Sequence, residues 1–313
     1  MNSLAVIHTG GVGDLVQTFP VLSALGRKWP RAAVTLIGHG ERAGLARAGG
    51  LADRVVAFET CGLHRLFTAD AGAADVPAPL READLIVTFL ARDAFAANLS
   101  RLTTARVVPA RGLPAPGTCN GPAAQFVYDQ VAAQLGLPPR EAVPRLRLPE
   151  NLPEAKCVAA RFPDAARAVS IHPGSGSRKK NWPPARFADL AERLSDEGRE
   201  AIWLLGPAEM ECAALARIAA SERSMVCAPL VEVAALLSQV RCYVGNDSGV
   251  THLSAALGTP TVAIFGPSDP AVWAPRCENV RTIVAPNGCM WSISVADIVA
   301  LCADAGGARR GAP

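Results

Sequence analysis

The sequence predicts an α/β protein of two doubly wound parallel-sheet domains. Three observations predict it. Short apolar runs of strand character alternate with longer stretches whose apolar residues recur at helical spacing. Such alternation marks a parallel sheet covered by helices on both faces. At 313 residues the chain exceeds a single core and fits two domains of about 150 residues each. Between residues 136 and 153 the texture changes to Leu137-Pro138-Pro139-Arg140, then Pro144, Pro149 and Pro153. Proline removes backbone donors and restricts its neighbours, so this stretch reads as an extended linker. The expected domains are therefore 1–150 and 151–313.

In the first domain, strands are expected at 4–8, 33–38, 54–58, 84–89 and 106–109, with helices that include 14–28 and 92–102 and a closing helix over 121–135. In the second, strands are expected at 168–172, 200–205, 225–227, 242–245, 261–265 and 280–284. Helices are expected there at 184–197, 208–220, 230–239, 248–257 and 294–302. Sheets of this kind bind ligands at loops leaving the carboxyl ends of the strands, so the expectation is a cleft between the two sets of strand ends.

Bulk properties narrow the function. Half the residues are hydrophobic and 19% are charged, as in a folded globular protein. A net charge of +3 is too small for a dedicated nucleic-acid binder, yet it suits an anionic substrate held by a few placed cations. The nine cysteines contain no C-x-x-C pair and sit mostly in apolar segments. They read as buried small side chains in a reducing cytoplasm rather than as disulfides or metal ligands. The first residues carry no signal-peptide pattern, and no apolar run approaches the roughly 20 residues that span a bilayer. A cytoplasmic protein is expected, with peripheral contact at a membrane surface left open.

Three strand-end loops can carry chemistry. The first is Val244-Gly245-Asn246-Asp247-Ser248-Gly249-Val250-Thr251-His252, where a buried strand gives way to a helix. Free amides and the positive dipole end at a helix start favour an anion. Ser248 and Gly249 allow close approach, and His252 lies one turn in. Asp247 is either the helix cap or an acceptor for a ribose hydroxyl. The second loop, Pro173-Gly174-Ser175-Gly176-Ser177-Arg178-Lys179-Lys180-Asn181-Trp182-Pro183, joins small flexible residues to three cations. It is either a phosphate-covering loop or a solvated charge run. It lacks the P-loop pattern, and Trp182-Pro183 reads as its packing anchor. The third, Thr9-Gly10-Gly11-Val12-Gly13-Asp14, has Val16 where a dinucleotide fingerprint needs its last glycine, which disfavours a nicotinamide enzyme. Asp14 is then either a helix cap or a group facing the ligand.

These elements, in this order, resemble glycosyltransferase family 9, the lipopolysaccharide heptosyltransferases. The resemblance rests on Gly13-Asp14-Leu15-Val16-Gln17-Thr18-Phe19-Pro20, on Lys180-Asn181-Trp182-Pro183, and on Gly245 to His252. It continues through Gly258-Thr259-Pro260 and Phe265-Gly266-Pro267-Ser268-Asp269-Pro270, and so spans nearly the whole chain. It implies a GT-B fold whose second domain holds the donor, and a metal-independent, inverting transfer from ADP-L-glycero-β-D-manno-heptose to the lipopolysaccharide inner core, with no cofactor.

By the resemblance, Asp14 is the general base and Lys180 neutralises the departing diphosphate. Ser175, Gly176, the Ser248 and Gly249 amides and His252 bind its oxygens, and Glu209 with Asp247 meets the ribose. Those roles make physical sense: displacement at an anomeric carbon needs a base on one side and a stabilised leaving group opposite. Acceptor binding would involve Gly11, Gly13, and the cations His64 and Arg65, with Arg92 or Arg111 assisting. Residues 121–126 lack the histidine that family members often carry there, and the stretch 285–291 is short. Two other readings stay open: the same fold with another nucleotide sugar or surface glycan, and a catalytically silent module that binds a glycan or a protein.

Overall fold

The computed structural model describes residues 1–90, 93–115 and 117–307, with side chains to 304. The chain divides into two compact units, Met1–Arg147 and Leu148–Pro313. In the first unit β1 (Ser3–His8) leads into α1 (Val12–Lys28), followed by β2 (Ala33–Gly38), α2 (Gly40–Ala48) and β3 (Arg54–Ala57). Then come α3 (Ala78–Arg81), β4 (Leu85–Thr88), α4 (Asp93–Leu102), β5 (Arg106–Pro109) and α5 (Ala123–Leu135). All pairings are parallel, in the order β3-β2-β1-β4-β5. The apolar run Leu4-Ala5-Val6-Ile7 is buried on both faces because β1 lies at the centre, whereas β3 at the edge keeps only partly covered side chains.

The second unit starts with α6 (Pro153–Arg161) and continues with β6 (Val169–His172), α7 (Pro184–Asp196), β7 (Ala201–Leu205), α8 (Pro207–Met210) and α9 (Ala213–Ala219). It goes on through β8 (Ser224–Val226), α10 (Leu230–Gln239), β9 (Cys242–Asn246), α11 (Gly249–Ala256) and β10 (Thr261–Phe265). It ends with α12 (Pro270–Trp273), β11 (Val280–Val284) and α13 (Val295–Gly307). Its sheet runs β11-β10-β9-β6-β7-β8, again all parallel. Counted from β6 this is the doubly wound order 3-2-1-4-5-6, in which the winding reverses between the first and fourth strands. The reversal lies between β6 and β9 here, and between β1 and β4 in the first unit. Strand-end loops diverge at such points and leave a crevice above the sheet.

One expectation changes, and two details are new. The single helix expected over 208–220 is two helices, because Cys212 is extended (φ −95°, ψ 114°) and α9 restarts after it. The helix Gly40–Ala48 falls where sparse apolar residues gave little periodicity; only Ala43, Leu45 and Ala46 are buried in it. The proline-rich stretch forms no helix or strand over residues 137–149, and its first part is tied to the first unit. The Tyr128 hydroxyl donates to the Pro138 carbonyl (2.8 Å), and the Ala142 amide donates to the Gln125 Oε1 (2.9 Å). The helix part expected at residue 92 lies outside the described residues.

Candidate functional site

The second-unit site grows from the carboxyl ends of β6 and β9, the two strands flanking the reversal. Asn246, fully buried at the end of β9, ties the two loops together. Its Nδ2 donates to the Pro173 carbonyl (2.8 Å), while its Oδ1 accepts from the Trp182 amide (2.9 Å). One side chain thus clasps both ends of loop 173–182. Trp182 is fully buried, packs edge-on against Phe187 (4.9 Å) and donates through Nε1 to the Ile293 carbonyl (3.2 Å), the anchor its sequence position suggested.

Between those anchors the loop turns Lys180 toward α11, where its Nζ lies 2.7 Å from Asp247 Oδ2. Asp247 is 7% exposed and Lys180 35%, so the carboxylate is fixed while the ammonium reaches solvent. Asp247 does not cap α11. Ser248 is extended (φ −150°, ψ 164°), and its hydroxyl accepts from the Thr251 amide (3.3 Å). The helix therefore begins one residue later than a cap at Asp247 requires, and Asp247 is left for Lys180. Ser248, Gly249 and His252 lie at the first turn of α11, as expected, with His252 buried. A helix start with unbonded amides beside a positioned ammonium is suited to a diphosphate.

Ser175 turns inward on its own loop: its hydroxyl lies 2.8 Å from the Ser177 carbonyl and 2.6 Å from Asn181 Oδ1. Gly176 faces open space. Glu209, in the first turn of α8, is 7% exposed and accepts from the Gly206 amide (2.6 Å). A Cβ on Gly174 would overlap Glu209 Oε1, so the glycine is what lets the loop pass over this carboxylate. A cavity of about 480 Å³ beside it is lined by Ser175, Asn181, Glu209, Arg178, Glu211 and the exposed Trp291, among others. It includes Ser175 and Glu209, while Lys180, Asp247, Ser248 and His252 do not line it. Beneath lies a buried polar layer. His172 Nδ1 donates to the Leu204 carbonyl (3.0 Å), since a carbonyl only accepts. Burial pushes this imidazole down, opposed by the Glu209 charge. The Tyr243 hydroxyl meets Thr251 Oγ1 (3.0 Å), and burial pushes that phenol up.

In the first unit, Gly11 precedes α1 and Asp14 sits in its first turn, with Asp14 Oδ2 accepting from the Gly11 amide at 2.8 Å. The cap reading of Asp14 is therefore realised, with the Gly11 N–H used on it; Gly13 lies in the same turn. A cavity of about 320 Å³ opens here, lined by His8, Thr9, Gly10, Asp14, Phe89 and Arg111 among others. Gln130 holds Arg111 at both backbone groups, accepting from its amide (3.0 Å) and donating to its carbonyl (3.1 Å). His64 and Arg65 belong to a short 3₁₀ turn, Leu63–Phe67, and neither lines this cavity; Arg65 instead reaches Asp75 (3.2 Å). Arg92 lies outside the described residues. Sequence reasoning gave His8 no role, and quoted Asn246 and Gly174 within their loops without one. The ends of β1 and β9 marked the first two, and only the three-dimensional approach of Glu209 marks Gly174.

Two parallel α/β units with these strand orders, the second carrying a lysine, a carboxylate and a helix start at its reversal point, define a protein of the GT-B class. The fold is shared with E. coli ADP-heptose lps heptosyltransferase II, with a TM-score of 0.78 at 18% identity, over 99% of this chain and 100% of that one. It is shared also with E. coli heptosyltransferase WaaC with ADP, with a TM-score of 0.72 at 19% identity, over 97% and 99%. In sequence, lipopolysaccharide heptosyltransferase 2 of Salmonella typhimurium is 30% identical over 169 residues, 50% of this chain and 48% of that protein. The chain spans about half the length of the curated relatives it matches. The profile of glycosyltransferase family 9 (heptosyltransferase) matches residues 124–300, more than half of the 313. The chain belongs to glycosyltransferase family 9.

Proposed function

We propose that the protein is an inverting, metal-independent glycosyltransferase that moves a heptose from ADP-heptose to a lipopolysaccharide inner-core acceptor. The observation that carries this reading is the Lys180–Asp247 pair at the start of α11, 2.7 Å apart, in a chain of this family. Asp247 holds the ammonium where a diphosphate would meet the amides of Ser248 and Gly249, with His252 one turn in. Lysine and helix dipole together offset the charge that grows on the leaving diphosphate. Glu209 takes the ribose hydroxyls, and Ser175 and Gly176 close over the phosphates.

Asp14 serves as base. As the acceptor oxygen attacks the anomeric carbon, its proton passes to the Asp14 carboxylate, the carbon–oxygen bond to the diphosphate breaks, and ADP leaves with the electron pair. The acceptor lies against Asp14, Gly11, Gly13 and Arg111; Arg111 lines the cavity at Asp14, which favours it over His64 and Arg65. No helix among the described residues is long and apolar enough to cross a membrane. The lipid-borne acceptor would bring the enzyme to the cytoplasmic face of the inner membrane as a peripheral protein.

The test is a transfer assay with ADP-heptose and a core acceptor, with and without chelator. Asp14→Ala should lower kcat by roughly 10²–10⁴-fold while ADP affinity stays near the wild-type value, and chelator should change neither. A variant that turns over at the wild-type rate removes the base assignment. A strict metal requirement removes the metal-independent mechanism.

A further inference from the structure

The cavity at Asp14 contains a second titratable side chain that the reaction above does not use. His8 is the last residue of β1 and 5% exposed, and it lines the same cavity of about 320 Å³. Its ring meets Phe89 edge-on, with centroids 5.8 Å apart. On the other side it lies against backbone. A Cβ at Gly10 would stand 3.0 Å from His8 Cε1 and 2.7 Å from Asp14 Oδ2, and one at Gly112 would stand 3.8 Å from His8 Nε2. Imidazole and carboxylate thus lie on either side of the space beside one glycine, with Phe89 edge-on to the ring.

We propose that His8 is a positioning residue for Asp14, its ring set between Phe89 and the carboxylate at the shared cavity. The inference rests on the reading of Asp14 as base. Its support is a contrast between the two units. Asp247 is held by the Lys180 ammonium, whereas no ion pair among the described residues involves Asp14. A cation fixed on a carboxylate stabilises its charge and makes it a poorer proton acceptor, so a base is better served by a neutral neighbour. Burial keeps the imidazole in that neutral form, lowering it to about 4. The charges that face it are Asp14 on α1, which works in the opposite direction, and Arg42 and His39 at the start of α2, which add to the depression. Arg111, after β5, faces the same cavity.

The experiment is steady-state transfer across pH for the wild-type protein, His8→Ala, His8→Gln and His8→Lys, with circular dichroism and ADP affinity as folding controls. His8→Ala should lower kcat about tenfold with the KM for the nucleotide sugar unmoved, because the donor side is untouched. His8→Gln, neutral and of similar reach, should recover part of that loss. His8→Lys should move the acid limb of kcat/KM about one pH unit lower and depress its plateau. If the alanine variant does not fold, the glutamine and lysine variants carry the same test. An acid limb left in place by His8→Lys, or a wild-type kcat in His8→Ala, overturns the proposal. Absence of transfer by the wild-type protein sinks this inference together with the proposed function; transfer with wild-type-like His8 variants sinks this inference alone.

Discussion

Asp14 and Asp247 both stand where a central strand gives way to a helix, and their neighbours give them different characters. Asp14 accepts from the Gly11 amide (2.8 Å) beside a neutral imidazole, while Asp247 is fixed on Lys180. Two predictions belong to this scale. Lys180→Ala removes a charge-assisted bond worth about 1.5–3 kcal/mol, so ADP should bind roughly 10- to 100-fold more weakly by calorimetry; an unchanged affinity contradicts the loop assignment. The second concerns His8, lowered from 6.5 to about 4 by burial. Between those pH values the unfolded chain binds a proton that the folded chain refuses. The stability due to this group is therefore complete above about 6.5 and lost as pH falls toward 4, a change of roughly 3 kcal/mol. His172, also lowered, contributes with the same sign. Urea midpoints should fall between pH 7 and pH 4, and His8→Gln should flatten that fall; an equal slope in the two proteins would refute the linkage.

At the scale of elements, the loop after β6 and the break between α8 and α9 form one device. The turn at Gly206–Glu209 sends the Glu209 carboxylate back to the Gly206 amide, and Cys212 then goes extended. The carboxylate is left under the loop at Gly174, where a Cβ would overlap it. Gly174→Ala should therefore cost about 1–3 kcal/mol of stability and weaken ADP binding. Adding Glu209→Ala should restore the stability but not the binding, a pairing that separates overlap from any other effect of the methyl group. Thermal unfolding of the two variants decides it. The strand ends and the polar residues of this loop were legible in the sequence as a switch from a short apolar run to small and polar residues and then helical spacing. The break at Cys212 was not, because no glycine or proline marks it.

For the whole molecule, two compact units, each with its own sheet and core, should give two components in scanning calorimetry. ADP should raise only the component of Leu148–Pro313, by about 2.7 kcal/mol at a hundredfold excess over its Kd. A shift of the other component instead would put the nucleotide in the wrong unit. Comparing ADP with UDP, GDP and CDP in the same measurement names the base.

The sequence by itself determined the α/β class, the alternation of strand and helix, and the three strand-end loops. Those follow from local periodicity and from the backbone demands of glycine and proline, which act within a few residues. It also singled out Asp14, Lys180 and the start of α11 as candidates. Only the tertiary structure decided the partners. Asp247 leaves the cap to Ser248 and meets Lys180, 67 residues away in sequence. Asn246 clasps both ends of a loop more than 60 residues distant. His8 and Asp14 share one glycine and one cavity. Pairings of this kind depend on strand order, since parallel strands place the ends of distant segments side by side, and nothing local in the chain encodes which ends will meet.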